Sequence, residues 1–299
     1  MRDTSIDYKQ RVCAAMNFIS RNLAHELTLD EIAEAASFSP FHFHRIFKAV
    51  VGETVAAFTR RLRLEKAANR LISRPGDDIT AIAIDCGFSS SQNFARVFVK
   101  HFGLTPTAFR KSKIGNMDHK PGNELSLSQG YHHHCTVEHL MAIDAVEVRN
   151  VPAMRVAYLR QMGPYTQAIC EPQFGELMAW AAPRGLIGPG KVMAIYWDNP
   201  MVTPPEKCRF DAGIQAPDET AEDDRVAVQT IPGGPYAVCR FERPPEEIRQ
   251  AWNDALVWFK GSGLECSDQP CYEIYLTNAA EHPQGKWVFE IRLPIIHGI

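Results

Sequence analysis

The sequence predicts a multidomain chain: an all-α region of two tandem helix-turn-helix units, then an α+β region with a pseudo-two-fold duplication of the βαββ type. Three observations support that reading. One pattern occurs twice between residues 28 and 110, another occurs twice between residues 145 and 299, and the charge balance changes sign between them. Self-similarity at a fixed period marks a supersecondary unit used twice.

Residues 5–25 place Ile6, Val12, Met16, Ile19 and Leu23 close to a helical stripe, so a first helix braces the first of the two units. Thr28, with Glu31 three residues on, forms a capping box that opens a short helix. Ala36-Ser37-Phe38 is the turn. Ser39-Pro40 opens the second helix, with Pro tolerated at its first position. Phe43, Ile46 and Phe47, at i, i+3, i+4 spacing, face one stripe to the core. Residues 54–72 then read as one helix of about 19 residues, or ~28 Å. Reading helices enter successive major grooves only if held ~34 Å apart, and a rod of this length is a suitable spacer. The pattern returns about fifty residues later as Ile79, Ile82-Ala83, the turn Cys86-Gly87-Phe88, and Phe94, Val97 and Phe98.

Off the two stripes or at their edges lie Ser39, Phe41, His44, Arg45 and Lys48 in the first copy, and Ser90, Gln92, Asn93, Arg96 and Lys100 in the second. Such side chains can reach base edges and phosphates. Arg45 and Arg96 recur at equivalent places, where an internal salt bridge is the competing role. Phe41 either touches a thymine methyl or packs.

The tandem units, the Gly87-Phe-Ser-Ser90 turn and the run Phe102-Gly-Leu-Thr-Pro-Thr-Ala-Phe-Arg110 resemble the DNA-binding domain of the AraC/XylS transcription regulators, over roughly residues 5–113. The resemblance implies promoter DNA as a double-stranded partner and RNA polymerase as a second one. Phe41 departs from the polar residue or Trp often found there in relatives. Charge agrees with a DNA partner: residues 1–113 hold 17 Lys+Arg against 11 Asp+Glu, a balance of +6, whereas residues 114–299 hold 15 against 24, a balance of −9.

Residues 114–144 have loop composition and read as a linker between domains at 1–113 and 145–299. The His132-His133-His134 run within it could bind a metal, but no Cys or His at ligand spacing completes a site, so a solvated linker is the reading. The sequence implies no metal and no cofactor. The eight Cys are scattered without a CxxC pair, no run approaches the ~18 apolar residues of a membrane span, and the N-terminus lacks a signal-peptide layout. A cytoplasmic protein with reduced cysteines is expected.

In the rear region Val146-Glu-Val-Arg-Asn-Val-Pro152 matches Val226-Ala-Val-Gln-Thr-Ile-Pro232. Leu177, Trp180 and Leu186 match Leu256, Phe259 and Leu264, and Ile195-Tyr196 matches Ile274-Tyr275. Alternation predicts strands at 145–149, 155–161, 191–197 and 208–215 around a helix at 171–183, and again at 225–231, 236–242, 271–276 and 286–294 around a helix at 244–261. These elements imply an antiparallel sheet with helices on one side and a groove along the internal two-fold.

Met162-Gly-Pro-Tyr165, Gly234-Pro-Tyr236, Ile195-Tyr196, Tyr275 and the closing Phe289-Glu-Ile-Arg-Leu-Pro-Ile295 resemble the GyrI-like (Rob-type) effector-binding domain of multidrug-sensing regulators. The resemblance implies a small-molecule effector, cationic or aromatic, with a glutamate near the chain end in the site. Glu290 is the position that fits. Tyr196, Trp197, Tyr275 and Trp287 are the aromatic walls expected to offer cation–π contact. Strict alternation, however, puts Val288, Glu290 and Arg292 on one face and Trp287, Phe289 and Ile291 on the other, so an outward Glu290 paired with an Arg competes. The leading expectation is a ligand-responsive transcription regulator. The alternatives are a hydrolase of reactive small molecules and a protein-sequestering domain fused to a DNA-binding module.

Overall fold

The computed structural model describes residues 4–116, 143–223, 225–277 and 279–296. The chain separates into two compact units, Met1–Asn123 and Glu124–Ile299. Most of the expected linker, with His132-His133-His134, lies outside the described residues.

The front unit contains α1 (Thr4–Arg21), α2 (Leu29–Ala35), α3 (Pro40–Val51), α4 (Val55–Ser73), α5 (Ile79–Asp85), α6 (Ser91–Phe102) and α7 (Pro106–Asn116). The expected capping box is present: the Glu31 amide donates to Thr28 Oγ1 at 3.2 Å, and the Thr28 amide donates to Glu31 Oε2 at 2.8 Å. The Thr28 amide, and the Thr28 hydroxyl at 2.7 Å, both donate to the Glu31 carboxylate and hold it below its usual range. The repeat extends to the cores. Phe43, Phe47 and Phe58 form a chain of edge contacts at 5.4–5.5 Å, and Phe94, Phe98 and Phe109 repeat it at 5.2–5.3 Å.

The spacer helix α4 is anchored by charge as well as by its apolar stripe. Arg61 is buried between Glu53, at 2.7 Å, and Glu65, at 3.1 Å. Arg63 donates to the carbonyls of Leu23 and His25 at 2.8 and 2.6 Å, tying the turn that follows α1 to α4.

The rear unit contains β1 (Ala145–Val151), β2 (Met154–Met162), α8 (Gln167–Ala181), β3 (Val192–Tyr196), β4 (Arg209–Gln215), β5 (Ala227–Ile231), β6 (Gly234–Arg243), α9 (Ile248–Gly261), β7 (Cys271–Tyr275) and β8 (Trp287–Pro294). The eight strands form one antiparallel sheet in the order β1-β6-β8-β7-β3-β4-β2-β5. Reversing the order exchanges the two halves, and each half lends its first strand to the other. α8 starts at Gln167, ahead of the expected 171, with Pro172 in its second turn on the exposed side.

This order forces curvature. Only Pro152 and Ala153 separate β1, first in the sheet, from β2, seventh. In a flat sheet they would lie roughly 29 Å apart at ~4.8 Å per strand, whereas so short a link spans only ~10 Å. The sheet therefore curls until its ends meet. The β1–β2 and β5–β6 links pack back to back there, and a Cβ on Gly233 would lie 2.5 Å from the Ala153 amide nitrogen. The helix-free face is thus an inner face, and Val156, Tyr158, Met193, Ile195, Tyr236 and Tyr272 are buried on it. On the outer face α8 and α9 cover two apolar clusters, one around Leu177, Trp180 and Phe210, the other around Phe241, Ala255 and Phe289.

Candidate functional site

Two sites are legible, one in each unit. In the front unit, α3 and α6 present their predicted residues with differing freedom. Phe41, His44, Arg45 and Lys48 are exposed on α3, as are Gln92, Arg96 and Lys100 on α6. Ser39 is exposed at the N-cap of α3, its hydroxyl bonded to His42 Nδ1 at 2.9 Å. Ser90 is half-buried and caps α6, its oxygen accepting from the Asn93 amide at 3.2 Å. Asn93 is also half-buried, and its side-chain oxygen accepts from Arg96 at 3.3 Å. Among the described residues neither Arg45 nor Arg96 forms an ion pair. Both guanidinium groups are therefore available to an anionic partner.

In the rear unit the site lies on the outer face, where β3 meets β7 at the pseudo-two-fold. Ala194 and Glu273 stand directly opposite each other there, with Val192 opposite Tyr275 and Tyr196 opposite Cys271. The axis therefore passes between an alanine and a carboxylate. Glu273 is 1% exposed. Its Oε1 accepts from the Tyr196 hydroxyl at 3.0 Å and from the Trp252 indole, and its Oε2 accepts from the Tyr275 hydroxyl. The walls cross the two-fold: Trp252 of α9 packs edge-on to Tyr196 at 5.1 Å, and Phe174 of α8 packs edge-on to Tyr275 at 6.2 Å. Trp287 extends the cluster at 4.7 Å from Tyr275.

Among the described residues no cation answers Glu273; its three partners are neutral donors. Burial raises its carboxyl above the usual range despite them. Burial and the neighbouring carboxylate push the Tyr196 and Tyr275 hydroxyls well up, and push the Cys170 thiol up to about 12. The arrangement concentrates negative potential among aromatic rings, which suits a guest able to supply positive charge.

Glu290 and Trp197 do not join this cluster, contrary to the expectation. Glu290 is 7% exposed on the inner face, where Oε2 accepts from Arg149 at 2.8 Å and from Arg292 at 2.6 and 2.9 Å. The Arg pairing of the competing reading is present, but the carboxylate is turned to the inner face and buried rather than outward. Trp197 points inward as well, donating to Asp211 Oδ2 at 2.7 Å. Asp211, the half-one counterpart of Glu290, is also held by Arg160 at 2.7 Å and Gln229 at 2.8 Å. The residues missed by sequence reasoning are Glu273, Trp252, Phe174 and Cys170. A signal existed for Glu273: in Cys271-Tyr-Glu-Ile-Tyr275 it alternates onto the face of Tyr275.

The profile of the GyrI-like small molecule binding domain matches residues 144–296, about half of the chain, and that of a helix-turn-helix domain matches residues 32–112. A DNA gyrase inhibitor of Pectobacterium carotovorum is 32% identical over 151 residues, 49% of this chain and 94% of that protein. A DNA gyrase inhibitor of Escherichia coli is 30% identical over 156 residues, 50% of this chain and 95% of that protein. A crystal structure of an AraC-type transcriptional regulator from Chromobacterium violaceum matches with 28% identity and a TM-score of 0.34, over 35% of this chain and 93% of that one. The chain belongs to the GyrI-like small-molecule-binding family, carries a helix-turn-helix domain in front of it, and is a ligand-responsive DNA-binding regulator.

Proposed function

We propose that the effector is a cationic or aromatic small molecule held over Glu273 by Tyr196, Tyr275, Trp252 and Trp287, and that α3 and α6 contact a promoter duplex. The observation behind the effector class is a buried carboxylate, without a counter-ion among the described residues, ringed by aromatic side chains. The DNA contacts run through Arg45, Lys48 and His44 on α3 and Gln92, Asn93, Arg96 and Lys100 on α6, with Ser39 and Ser90 at the two caps. RNA polymerase is the partner through which a promoter-bound regulator acts, and a cytoplasmic location goes with that partner. Among the described residues no helix is long and apolar enough to cross a membrane.

A thermal-shift screen of the full chain with lipophilic cations and their neutral isosteres tests the effector class. Cations should raise the melting temperature of the wild type and have far less effect on Glu273→Gln. Equal shifts for cation and isostere would overturn it. Two further readings have observations behind them. The raised Glu273 carboxyl beside two tyrosine hydroxyls could activate water for hydrolysis of an electrophilic guest, tested by product release. The identity to DNA gyrase inhibitors favours binding of a gyrase subunit by the rear unit, tested by a supercoiling assay with the full chain.

A further inference from the structure

We propose that Arg63 and Gly87 clamp the two helix-turn-helix units at one angle, and so set the spacing the chain accepts between the two parts of its DNA site. The inference rests on the reading of α3 and α6 as groove-entering helices. The length of α4 sets how far apart the two units stand. Length alone does not set how the second unit is turned about that helix, and a direct junction between the units supplies the missing constraint.

On the side of the first unit, the turn after α1 offers the Leu23 and His25 carbonyls. Arg63, half-buried on α4, donates to them through Nε at 2.8 Å and Nη2 at 2.6 Å. On the side of the second unit, the turn between α5 and α6 lies against the same groups. A Cβ on Gly87 would lie 2.1 Å from the Leu23 carbonyl oxygen, 2.9 Å from Arg63 Nε and 3.0 Å from Arg63 Cζ. The guanidinium is thus held by two carbonyls of one unit and touched by the backbone of the other. A planar fork donating to two fixed acceptors has little freedom to turn. The repeat shows what this contact asks of the sequence. Ser37 takes the equivalent place in the first turn, also left-handed at φ 54, and is exposed. A left-handed backbone alone therefore admits a serine here, and the half-buried glycine at 87 answers to the junction instead. A duplex rises ~3.4 Å and turns about 34–36° per base pair. A second unit held at one angle therefore meets its bases at one spacing only.

The test uses the full chain, a duplex it selects from a randomised pool, and the same duplex with one base pair inserted between the two segments it protects. The readout is the ratio of the two affinities. An unfolded fraction lowers both equally, so lost stability by itself leaves the ratio unchanged. Wild type should bind the inserted duplex at least about tenfold more weakly, the cost of one lost base contact. Arg63→Met keeps an apolar stem without the fork. Its ratio should fall to about threefold or less, and its affinity for the selected duplex should also fall, because the angle must then be ordered on binding. Arg63→Lys, which lacks the fork but can reach one carbonyl, should give a ratio between the two. An Arg63→Met ratio equal to that of wild type, while Arg45→Ala and Arg96→Ala weaken binding, overturns the clamp and leaves the reading helices in place. If those two arginine variants bind unchanged, the assignment of α3 and α6 falls and the clamp falls with it. Equal weakening of both duplexes in Arg63→Met, with a salt slope smaller by about one and full recovery in Arg63→Lys, would make Arg63 a phosphate contact instead.

Discussion

The two helix-turn-helix turns share a left-handed residue, Ser37 with φ 54 and Gly87 with φ 85, but they differ in what lies beside it. A Cβ on Gly87 would sit 2.1 Å from the Leu23 carbonyl oxygen, which Arg63 also holds. Gly87→Ser should therefore cost well over ~2 kcal/mol, from strain and displaced backbone together. The reciprocal change Ser37→Gly should stay within about 1 kcal/mol of neutral, relief of strain offsetting the freer unfolded chain. Urea unfolding of both variants decides it, and similar costs would refute the steric argument. Glu273 gives a pH test. Its folded carboxyl titrates above its ordinary 4.5, so the folded state binds that proton more tightly than the unfolded chain. The associated stabilisation is full below 4.5 and is lost as pH rises through the folded value. From about pH 4 to about pH 7 the wild type should lose stability relative to Glu273→Gln, and parallel profiles would refute the assignment. That this residue was harder to read than its aromatic neighbours has a physical cause. Tyr196, Tyr275 and Trp287 declare themselves by size, whereas the weight of a carboxylate depends on which face it takes and which cations share that face. Arg149 and Arg292 claim Glu290; nothing in the sequence says that no arginine reaches Glu273.

At the level of elements, α4 was legible in length and stripe but not in the use of its charges. Arg60, Arg61, Arg63, Lys66 and Arg70 read alike as cations on a helix, yet Arg61 is buried between two glutamates and Arg63 caps backbone carbonyls. Arg61→Met should cost about 3–5 kcal/mol by removing the cation shared by the half-buried Glu53 and the buried Glu65. Replacing all three by apolar residues should recover most of that loss. A triple variant as unstable as the single one would show that packing, not charge, anchors the helix. The rear helices show a second limit. Leu177 and Leu256 align in the repeat, but Leu177 is fully buried and Leu256 is 37% exposed. In α9 the small Ala251 and Ala255 take the inward positions, which places Leu256 outside. Matching letters fix that a helix exists; side-chain size fixes which face turns to the sheet.

For the whole molecule, effector and DNA must be coupled through a free energy that is the same from either side. If a saturating effector changes DNA affinity tenfold, saturating DNA must change effector affinity tenfold, and titration calorimetry of the full chain in both orders measures the factor. The chain enters the rear sheet at Ile143 and Asp144. Ile143 is buried in the cluster formed with α9, the helix that supplies Trp252 to Glu273, and Asp144 accepts from the Glu242 amide at 2.6 Å. An effector that displaces Trp252 thus acts on the same apolar cluster that holds the end of the connecting segment. Ile143→Ala removes most of that side chain without touching Glu273, α3 or α6. It should leave DNA affinity without effector, and effector affinity without DNA, near their wild-type values, while the coupling factor falls toward one. Ile143→Val, which keeps the packing nearly intact, should retain the coupling. A full-sized factor in Ile143→Ala would mean that the signal leaves the rear unit by another route, because a coupling pathway is established only where its removal uncouples the sites.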